Sequence, residues 1–511
     1  MLHFQDKSFL WGIVRVSSDL CVALQRPLSW EFTDQLYRKL TIGALPNDVL
    51  LYIFNFHVHL PQPHYPFSTL SGASLDAWHT LIHVCRRWRH VVLGSPCSLG
   101  LRLHCTNRTP VRTMLDIWPA CPIIVFCHRS PGFPLHGVRN IIAALKCRDR
   151  VCEIRFWGVQ KSLLKRFAVL NVSFPELKSV QLSLADDEYP PALLPDSFLG
   201  GFAPRLRSLD LYGISFPVPQ KLLLSTTDLV ALRLEDIPDS GHISPEEMVS
   251  CLSGLTKLEQ VALGFRSTGT FPDRKYTRQH PPLLSRTVLP ALTSLRFRGD
   301  HNYLEALISR IGIPPLEDLD ITFFFFVPES NASVLLLHEF INRIEAFEAP
   351  HCADITIDNR SVQVTISRLE GMVNRGMVNV GVLCNSADLQ FSHLVHFCKL
   401  SLLPLSTLEH LHLRGSFPRA WYYSDLFVPE TLRWSEVFLP FMSVKDLHVS
   451  KGLALAVSDA LKRSAAERVL PVLQNIFFKL PGSRPSGALL QANTQLAVKR
   501  RLSGRPVSVH Y

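Results

Sequence analysis

The chain contains no apolar run long enough to cross a lipid bilayer. Hydrophobic residues make up 47% of its 511 residues, yet no stretch approaches the roughly 20 consecutive apolar residues that a membrane-spanning helix needs. The nearest candidate for a secretory signal, from Phe9 to Val14, is interrupted by Arg15, and no small-residue cleavage site follows it. We therefore expect an intracellular protein, cytoplasmic, nuclear or both, that has no membrane partner.

Motifs of catalysis and metal binding are also missing. The sequence has no G-x-S-x-G, P-loop or H-E-x-x-H motif, so the commonest signatures of nucleophilic, phosphate-binding and zinc-protease sites are absent. Its twelve cysteines are scattered without a C-x-x-C pair, which argues against a zinc ribbon and a disulfide framework. A cysteine hydrolase using Cys352 or Cys384 is the remaining enzymatic alternative, although no motif ties a His or Asp to either thiol. We expect no catalytic residue, no metal site and no cofactor.

The net charge of +10 does not form a recognisable nucleic-acid-binding pattern. Five Lys or Arg residues and no Asp or Glu follow residue 482, so half of the excess lies in the last part of the sequence. Nucleic-acid binding normally needs a clustered basic patch interleaved with aromatic residues. We therefore expect no nucleic-acid partner, and we interpret residues 481–511 as a basic, disordered tail.

One six-residue phrase recurs along the chain: an apolar residue, two variable residues, an apolar residue, one variable residue and a last apolar residue. Nine copies are clear, and Val151 starts a tenth, degenerate copy. Successive clear copies are 23 to 36 residues apart, except that 92 residues separate the sixth from the seventh. That interval has room for about two or three more copies, but the phrase is eroded there. The nine clear copies begin at Leu177, Leu206, Leu229, Leu258, Leu292, Leu316, Leu408, Val444 and Leu473.

This repeated phrase predicts a short strand in each repeat. Its last two apolar residues alternate with variable ones, so they point to one face of the strand. Between phrases, sequences such as Ser244-Pro245-Glu246-Glu247 carry the signals of a helix start. Strand, turn and helix at this period resemble the irregular cytosolic leucine-rich repeat, which implies an α/β solenoid of parallel strands with helices on the convex side. A single α/β domain with leucine-rich strands is the alternative.

Two short amphipathic helices are predicted ahead of the repeats. Segment 45–56 has Pro46 at a position suited to a helix start, and apolar residues that include Ile53 and Phe54 fall on one side of that helix. A second helix carries an apolar stripe that contains Trp88. Two such helices in about 50 residues cannot easily form a stable core alone. We therefore expect a partner or the next domain to complete the burial of these stripes.

This segment resembles an F-box. The resemblance rests on Leu-Pro-x-Asp-Val-Leu-Leu-x-Ile-Phe at 45–54, on Val-Cys-Arg-Arg-Trp-Arg at 84–89, and on the Ser-Pro pair at 95–96. F-boxes dock onto a Skp-type adaptor of a cullin ubiquitin ligase, and an F-box followed by leucine-rich repeats resembles a large set of proteins in mushroom-forming fungi. The stretch near 57–77 departs from the compact family pattern and indicates an insertion. By this resemblance, the adaptor-binding residues are Leu45, Pro46, Ile53, Phe54, Val84, Cys85 and Trp88.

These observations lead to one functional hypothesis and one alternative. We expect a non-catalytic subunit of a Skp-cullin-F-box ubiquitin ligase whose repeats recruit an unknown target protein, and the alternative is a non-ubiquitinating leucine-rich scaffold with a lapsed F-box. The predicted order is an unassigned segment 1–44, an F-box-like module 45–100, a linker and N-terminal cap 101–150, a repeat domain 151–480 and the tail 481–511. The strand face of a solenoid is its default binding surface. On it, the expected target contacts are Arg207, Ser208, Asp210, Arg233, Glu235, Arg296 and Arg298.

Overall fold

A computed structural model describes most of the chain from residue 45 onward. It divides into two compact units, residues 1–102 and residues 103–511. None of the helices in the described ranges is long and apolar enough to span a membrane. The unassigned segment 1–44 and most of the predicted insertion lie outside these ranges. The described residues are 45–59, 77–96, 98–108, 110–118, 120–128, 135–160, 168–184, 192–195, 197–216, 219–266, 286–312, 314–324, 340–341, 350–358, 360–367, 377–383, 387–399, 403–415, 430–463, 468–480 and 484–511.

The described part of the first unit is a cluster of helices. They are α1 (Asn47–His59), α2 (Ala77–Ile82) and α3 (Arg86–Gly94). Each helix contacts the other two, and the buried side chains include Leu50 and Phe54 on α1, Trp78 on α2, and Trp88 and Val92 on α3. The rings of Phe54 and Trp88 lie 4.7 Å apart between centroids. The buried members of the predicted apolar stripes therefore form the core of this unit, whereas Val49, Ile53 and Cys85 of the same stripes stay half-buried or exposed.

Polar contacts fix the starts of the first and third helices. The Arg87 guanidinium donates a hydrogen bond to the side-chain oxygen of Asn47, at 2.9 Å from Nη2, and another to the carbonyl of Leu45. Cys85 is the N-cap of α3, and its sulfur accepts a hydrogen bond from the backbone N–H of Trp88 at 3.4 Å. Because Arg87 bridges the two helices, it holds the start of α1 against α3.

The second unit is built on one large sheet. Its strands are β1 (Leu103–Thr106), β2 (Ile123–His128), β3 (Val151–Val159), β4 (Ser179–Leu184), β6 (Ser208–Tyr212), β8 (Ala231–Ile237), β9 (Gln260–Phe265), β11 (Ser294–Gly299), β13 (Asp318–Phe323), β14 (Cys352–Ile357), β15 (Ser361–Ser367), β16 (Met377–Leu383), β17 (His410–Gly415), β18 (Asp446–Ser450), β19 (Asn475–Lys479) and β20 (Ser508–His510). Their order along the sheet is β1-β2-β3-β4-β6-β8-β9-β11-β13-β16-β15-β14-β17-β18-β19-β20. Two short parallel pairs accompany it, β5 (Ala192–Leu193) with β7 (Ile214–Ser215), and β10 (Thr287–Val288) with β12 (Ile311–Gly312).

Helices connect many of these strands. The α-helices of the second unit are α4 (Val111–Ile117), α5 (Leu135–Leu145), α6 (Pro219–Ser225), α7 (Pro245–Leu252), α8 (His301–Ile308), α9 (Ala387–Lys399), α10 (Glu430–Phe438), α11 (Ala454–Arg463) and α12 (Gly487–Leu502). Short 3-10 helices span Ala168–Asn171, Phe198–Gly201, Asp239–Gly241, Leu405–Thr407 and Lys451–Leu453. The predicted capping box opens α7, because the N–H of Glu247 donates to Ser244 Oγ at 3.2 Å and the N–H of Ser244 donates to the Glu247 carboxylate at 3.0 Å.

The repeated phrase coincides with the strands of the large sheet. In all nine clear copies, the three apolar positions are at most 3% exposed. Neighbouring copies are in register, since Leu209 pairs with Leu232 and Leu232 pairs with Val261. The degenerate copy that begins at Val151 forms β3. The predicted repeat solenoid of parallel strands, each adding one apolar row to a continuous core, is therefore confirmed for these strands.

The described residues between the sixth and seventh copies form an antiparallel meander. There β16 pairs with β13, and β14 pairs with β17. The three strands therefore lie in the sheet in the reverse of their chain order, as β16, β15 and β14. β15 runs antiparallel to both of its neighbours. The carboxylate of Asp358 accepts hydrogen bonds from the N–H groups of Arg360 and Ser361, at 2.7 and 2.6 Å, in the turn after β14. Antiparallel strands need only a short turn between them. The described strands β14 to β16 therefore add no further copy of the repeat, although the interval had room for about two or three.

Two predicted boundaries of the repeat domain are also corrected. The predicted linker and N-terminal cap at 101–150 contains no linker in its described residues, because β1, α4, β2 and α5 extend the sheet to Leu103 and form its N-terminal end. In the predicted tail 481–511, the described residues 484–511 are not disordered, because α12 packs on α11 and β20 pairs with β19. The basic composition suggested disorder, but Leu489, Ala492 and Leu496 are spaced i, i+3 and i+7 and are buried on one side of α12.

Arg500 ties α12 to the preceding repeat. Its side chain is 1% exposed, and its two terminal nitrogens donate hydrogen bonds to the carbonyls of Leu470 and Val469 at 2.9 and 2.8 Å. Burial, together with the nearby charge of Arg505, lowers the pKa of the Arg500 guanidinium to about 10. The group therefore stays charged at neutral pH and makes charge-assisted hydrogen bonds.

Arg500→Ala is expected to destabilise the C-terminal end of the solenoid. The change removes two hydrogen bonds from a charged donor, and the loss lowers the free energy of unfolding by about 2 to 4 kcal/mol on typical values. Arg501 is the matched control, because it is exposed on the same helix and Arg501→Ala should leave stability nearly unchanged. Urea unfolding followed by circular dichroism measures both variants, and equal effects would contradict the role assigned to Arg500.

Candidate interaction surfaces

One side of α1 carries an apolar row that the rest of the described unit leaves exposed. Val49, Tyr52 and Phe56 are 40%, 67% and 55% exposed. Their spacing of i, i+3 and i+7 places them on the same side of the helix. Large exposed apolar residues grouped in this way are typical of protein-binding surfaces. We refer to Val49, Tyr52 and Phe56 as the α1 row.

The structure divides the residues predicted to face the adaptor into two groups. The half-buried or exposed members are Leu45, Pro46, Ile53, Val84 and Cys85. Phe54 and Trp88 are 0% and 5% exposed, which corrects the prediction, because they form the core between α1 and α3 and have little surface for a partner. Sequence reasoning also missed Tyr52 and Phe56. Helical spacing shows that α1 has apolar residues on more than one side, but only packing decides which side is buried.

A second surface is the polar face of the large sheet, which consists of the strand positions that alternate with the buried phrase residues. Arg207 is exposed in the turn before β6 and lies outside this face. The other predicted target contacts lie on it, on the strands β6, β8 and β11. They are Ser208, Asp210, Arg233, Glu235, Arg296 and Arg298.

Polar contacts join several of these residues across neighbouring strands. The side-chain amide of Gln181 on β4 donates to Asp210 at 3.0 Å. The Arg296 guanidinium lies 3.6 Å from the Glu235 carboxylate and 3.0 Å from that of Asp320. Each residue of these pairs comes from a different repeat, so the sequence could select the positions but could not show which of them meet.

β9 forms a strip of small residues within the polar face. Ala262 and Gly264 occupy the positions between the charged residues of β8 and those of β11. Their small size lets Arg296 reach across β9 to Glu235. Ala262 is 5% exposed and Gly264 is buried, so the charged side chains of the neighbouring strands cover the backbone of β9.

The polar face continues onto β17 to β20, beyond the residues predicted from the sequence. His410 Nδ1 lies 3.1 Å from the Asp446 carboxylate. The rings of His448 and Phe477 stack at 4.6 Å, and the Phe477 and His510 rings stack at the same distance. These histidines and Phe477 occupy the strand positions that alternate with apolar phrase residues. Arg233 was predicted from the same alternation, so most of these residues were also predictable from the later copies of the phrase.

The carboxyl group of Asp210 is partly buried, which disfavours its charged form. Burial raises the pKa of its carboxyl group above the usual value, the positive charge of Arg233 opposes the rise, the negative charge of Glu235 adds to it, and the hydrogen bond from Gln181 opposes it. A partly buried carboxylate with a raised pKa lowers the stability of the fold when it ionises. A residue that is unfavourable for stability and lies on a solenoid face is a candidate for target binding.

Comparisons with known proteins assign no family to the chain. No family model and no curated protein matches it. Among solved structures, it is similar to the leucine-rich repeat-containing protein LegL7 from Legionella pneumophila, with 13% identity over 68% of this chain and 98% of that chain and a TM-score of 0.29. A likeness this distant gives no information about function.

Asp210→Asn is expected to raise the free energy of unfolding at pH 7. The folded protein holds the Asp210 proton more tightly than the unfolded chain does, so wild-type stability falls as the pH rises through the raised pKa, and an amide removes this loss. The gain should vanish in acid, where the carboxyl group is protonated in both states. Denaturant unfolding of both proteins between pH 3 and pH 7 measures the difference.

Asp228→Asn is the control of opposite sign. The hydrogen bond and charge of Lys257 lower the pKa of the Asp228 carboxyl group, so its stabilising effect is present at pH 7 and disappears as the pH falls through that lowered pKa. Asp228→Asn should therefore reduce stability at pH 7. If both variants changed stability in the same direction, the account of Asp210 would be wrong.

Proposed function

We propose that this chain is a substrate-recruiting F-box subunit of a Skp-cullin-F-box ubiquitin ligase. The observation that carries the proposal is the α1 row, an exposed aromatic row on a helical unit whose sequence resembles an F-box. A solenoid with a polar face follows this unit along the chain. In this proposal the helical unit binds a Skp-type adaptor, and the polar face of the solenoid binds a target protein.

The chemistry of the α1 row supports binding to an apolar groove. Aromatic side chains bury about 150–250 Å² each when they are covered, and burial contributes about 25 cal/mol per Å² of apolar surface. Tyr52 and Phe56 are more than half exposed in this unit, so most of that contribution is still to be gained from a partner. The contacts of Arg87 with Asn47 and Leu45 hold the start of α1 in place before binding, which reduces the entropy lost on association.

The proposed mechanism is proximity, without a catalytic group in this chain. The adaptor would hold the chain on the cullin ligase, and the polar face would hold the target close to the ubiquitin-charged enzyme. Holding two partners together raises the effective concentration of the target's lysines at that enzyme, to the millimolar range for short connections. Charged residues such as Asp210, Arg233 and Arg298 would then select the target by charge complementarity more than by total affinity.

A leucine-rich scaffold that binds partners without ubiquitination is the second candidate. The sequence near 57–77, between α1 and α2, departs from the compact F-box pattern, and a long insertion beside the docking helix could prevent the adaptor from binding. The two candidates share the target-binding solenoid. They differ in whether the α1 row binds a Skp-type adaptor.

A double variant, Tyr52→Asp with Phe56→Asp, is expected to lose adaptor binding. Each change places a charge in a surface that loses its water on binding. Removing an interface anchor of this kind costs about 2 kcal/mol or more, roughly thirtyfold in affinity. Titration calorimetry of the full chain with a purified Skp-type adaptor measures the affinity.

Leu502→Asp is the matched control for this experiment, because Leu502 is an apolar residue of α12 that is 83% exposed. It should bind the adaptor like the wild type. Trp88→Ala is unsuitable as a docking variant, because truncating a buried Trp typically costs about 3–5 kcal/mol and the helical unit would unfold. A folded wild-type protein that does not bind the adaptor would overturn the ligase proposal.

The lifetime of captured partners separates the ligase from the scaffold. In cells that express the chain, a partner bound by the solenoid should be degraded more slowly with the Tyr52→Asp, Phe56→Asp variant than with the wild type, because that partner would no longer be held beside the ligase. Cycloheximide chase of the partner, with and without proteasome inhibition, measures its lifetime. If both proteins capture the partner and its lifetime is the same, the scaffold is the better description.

A further inference from the structure

Three side chains that commonly bind metal ions meet on the polar face where β14 pairs with β17. Cys352 and Asp354 are two residues apart on β14, so both point to this face. Asp354 is directly paired with His412 in the strand register. Cys352 and His412 are 2% and 4% exposed, and the Asp354 side chain is 23% exposed. The cluster is therefore largely shielded from water but accessible through the carboxylate.

The spacing of the donor atoms in this cluster is compatible with a metal site. One ligand atom from each residue lies within 4.8 Å of the other two, and His412 Nδ1 is 3.3 Å from Asp354 Oδ1. With metal–ligand bonds of about 2.0–2.2 Å, two nitrogen or oxygen ligands at tetrahedral corners are about 3.3–3.5 Å apart. The imidazole and carboxylate thus already have the required spacing. A sulfur and a nitrogen or oxygen at two tetrahedral corners are about 3.5 Å apart, so the 4.8 Å limit on the donor spacing leaves the sulfur at most about 1.3 Å to move, which a side-chain rotation supplies.

The donor set indicates which cation fits. A thiolate, an imidazole and a carboxylate together suit zinc and its first-row neighbours, whereas magnesium and calcium prefer oxygen ligands alone. We propose that Cys352, Asp354 and His412 form a binding site for a divalent cation of the zinc class. When the sulfur–metal bond forms, the Cys352 thiol releases its proton to solvent, and a water molecule completes the fourth position. The thiolate and the carboxylate together balance the two positive charges of the cation.

Neighbouring residues hold the proposed ligands from outside. Arg414 Nε lies 2.8 Å from Asp354 Oδ1, which orients the carboxylate toward the cluster. The His448 ring packs edge-on against the His412 ring, with centroids 4.5 Å apart. Outer contacts of this kind orient metal ligands and tune their affinity.

The position of the site in the fold suggests a structural role for the cation. β14 belongs to the antiparallel meander and lacks the repeat phrase, whereas β17 resumes it. The two strands approach closely, since Gly415 has φ +141° and a Cβ there would lie 2.1 Å from the Ile357 carbonyl oxygen. A cation held by both strands would lock the meander to the following repeats. This inference does not depend on the ligase proposal.

The test is a cobalt titration of the reduced, chelator-treated full chain. Co²⁺ occupies zinc-class sites, and a cobalt–thiolate bond gives a charge-transfer absorption that oxygen and nitrogen ligands do not give. We expect this band to saturate at one Co²⁺ per chain in the wild type, and added Zn²⁺ should abolish it by displacement. Cys352→Ala should lose the band. His412→Asn removes a direct ligand, and because losing even an outer-shell partner lowers metal affinity about tenfold or more, we expect it to weaken Co²⁺ binding by more than about tenfold.

Cys251→Ala is the matched control, because Cys251 is a buried thiol on α7 outside the cluster, and its variant should keep the band. Circular dichroism checks that each variant is folded. If Cys352→Ala does not fold, the wild-type titration still decides, because a folded wild type without a thiolate band overturns the proposal. A band that persists in folded Cys352→Ala would overturn it as well, since the sulfur would then come from another cysteine.

Discussion

Each repeat strand of the solenoid can bury its apolar residues only against the repeats beside it, and the rest of the second unit depends on this constraint. The requirement is met row by row: Leu209, Leu232 and Val261 lie side by side in three successive strands, and the phrase positions are at most 3% exposed. A terminal repeat has a neighbour on one side only, so its other side must be covered or polar. α12 and β20 add a further layer after the last copy of the phrase, and the buried guanidinium of Arg500 donates to the carbonyls of Val469 and Leu470 just before that copy.

The alternation that builds the core also builds the polar face. Because every second strand position is needed for packing, the positions between them can carry charge without disturbing the core. The pairs formed by Arg296 and the raised pKa of Asp210 arise from this arrangement. The cluster of Cys352, Asp354 and His412 arises in the same way, at the place where the meander interrupts the repeats and brings distant parts of the chain into register.

The helical unit buries its apolar residues by a different route. Its short helices share one small core around Phe54 and Trp88, and this core has no place for all of the apolar residues of α1. Those left over form the α1 row. An exposed apolar surface of this kind on a small unit is typical of a surface that a partner covers.

The sequence by itself determined the repeat strands, because the phrase Leu-x-x-Leu-x-Leu marks burial at positions a few residues apart, and local spacing is what a sequence records. For the same reason it located the helix start at Ser244 and the polar positions at Asp210, Arg233 and Arg296. Only the tertiary structure decided that Phe54 and Trp88 are core and Tyr52 is surface, because both sides of α1 are apolar and packing chooses between them. It alone decided the reversed meander, the ordered helix at 487–502 and the meeting of Cys352 with His412. Each of these depends on contacts between residues far apart in the chain, and no local spacing encodes such contacts.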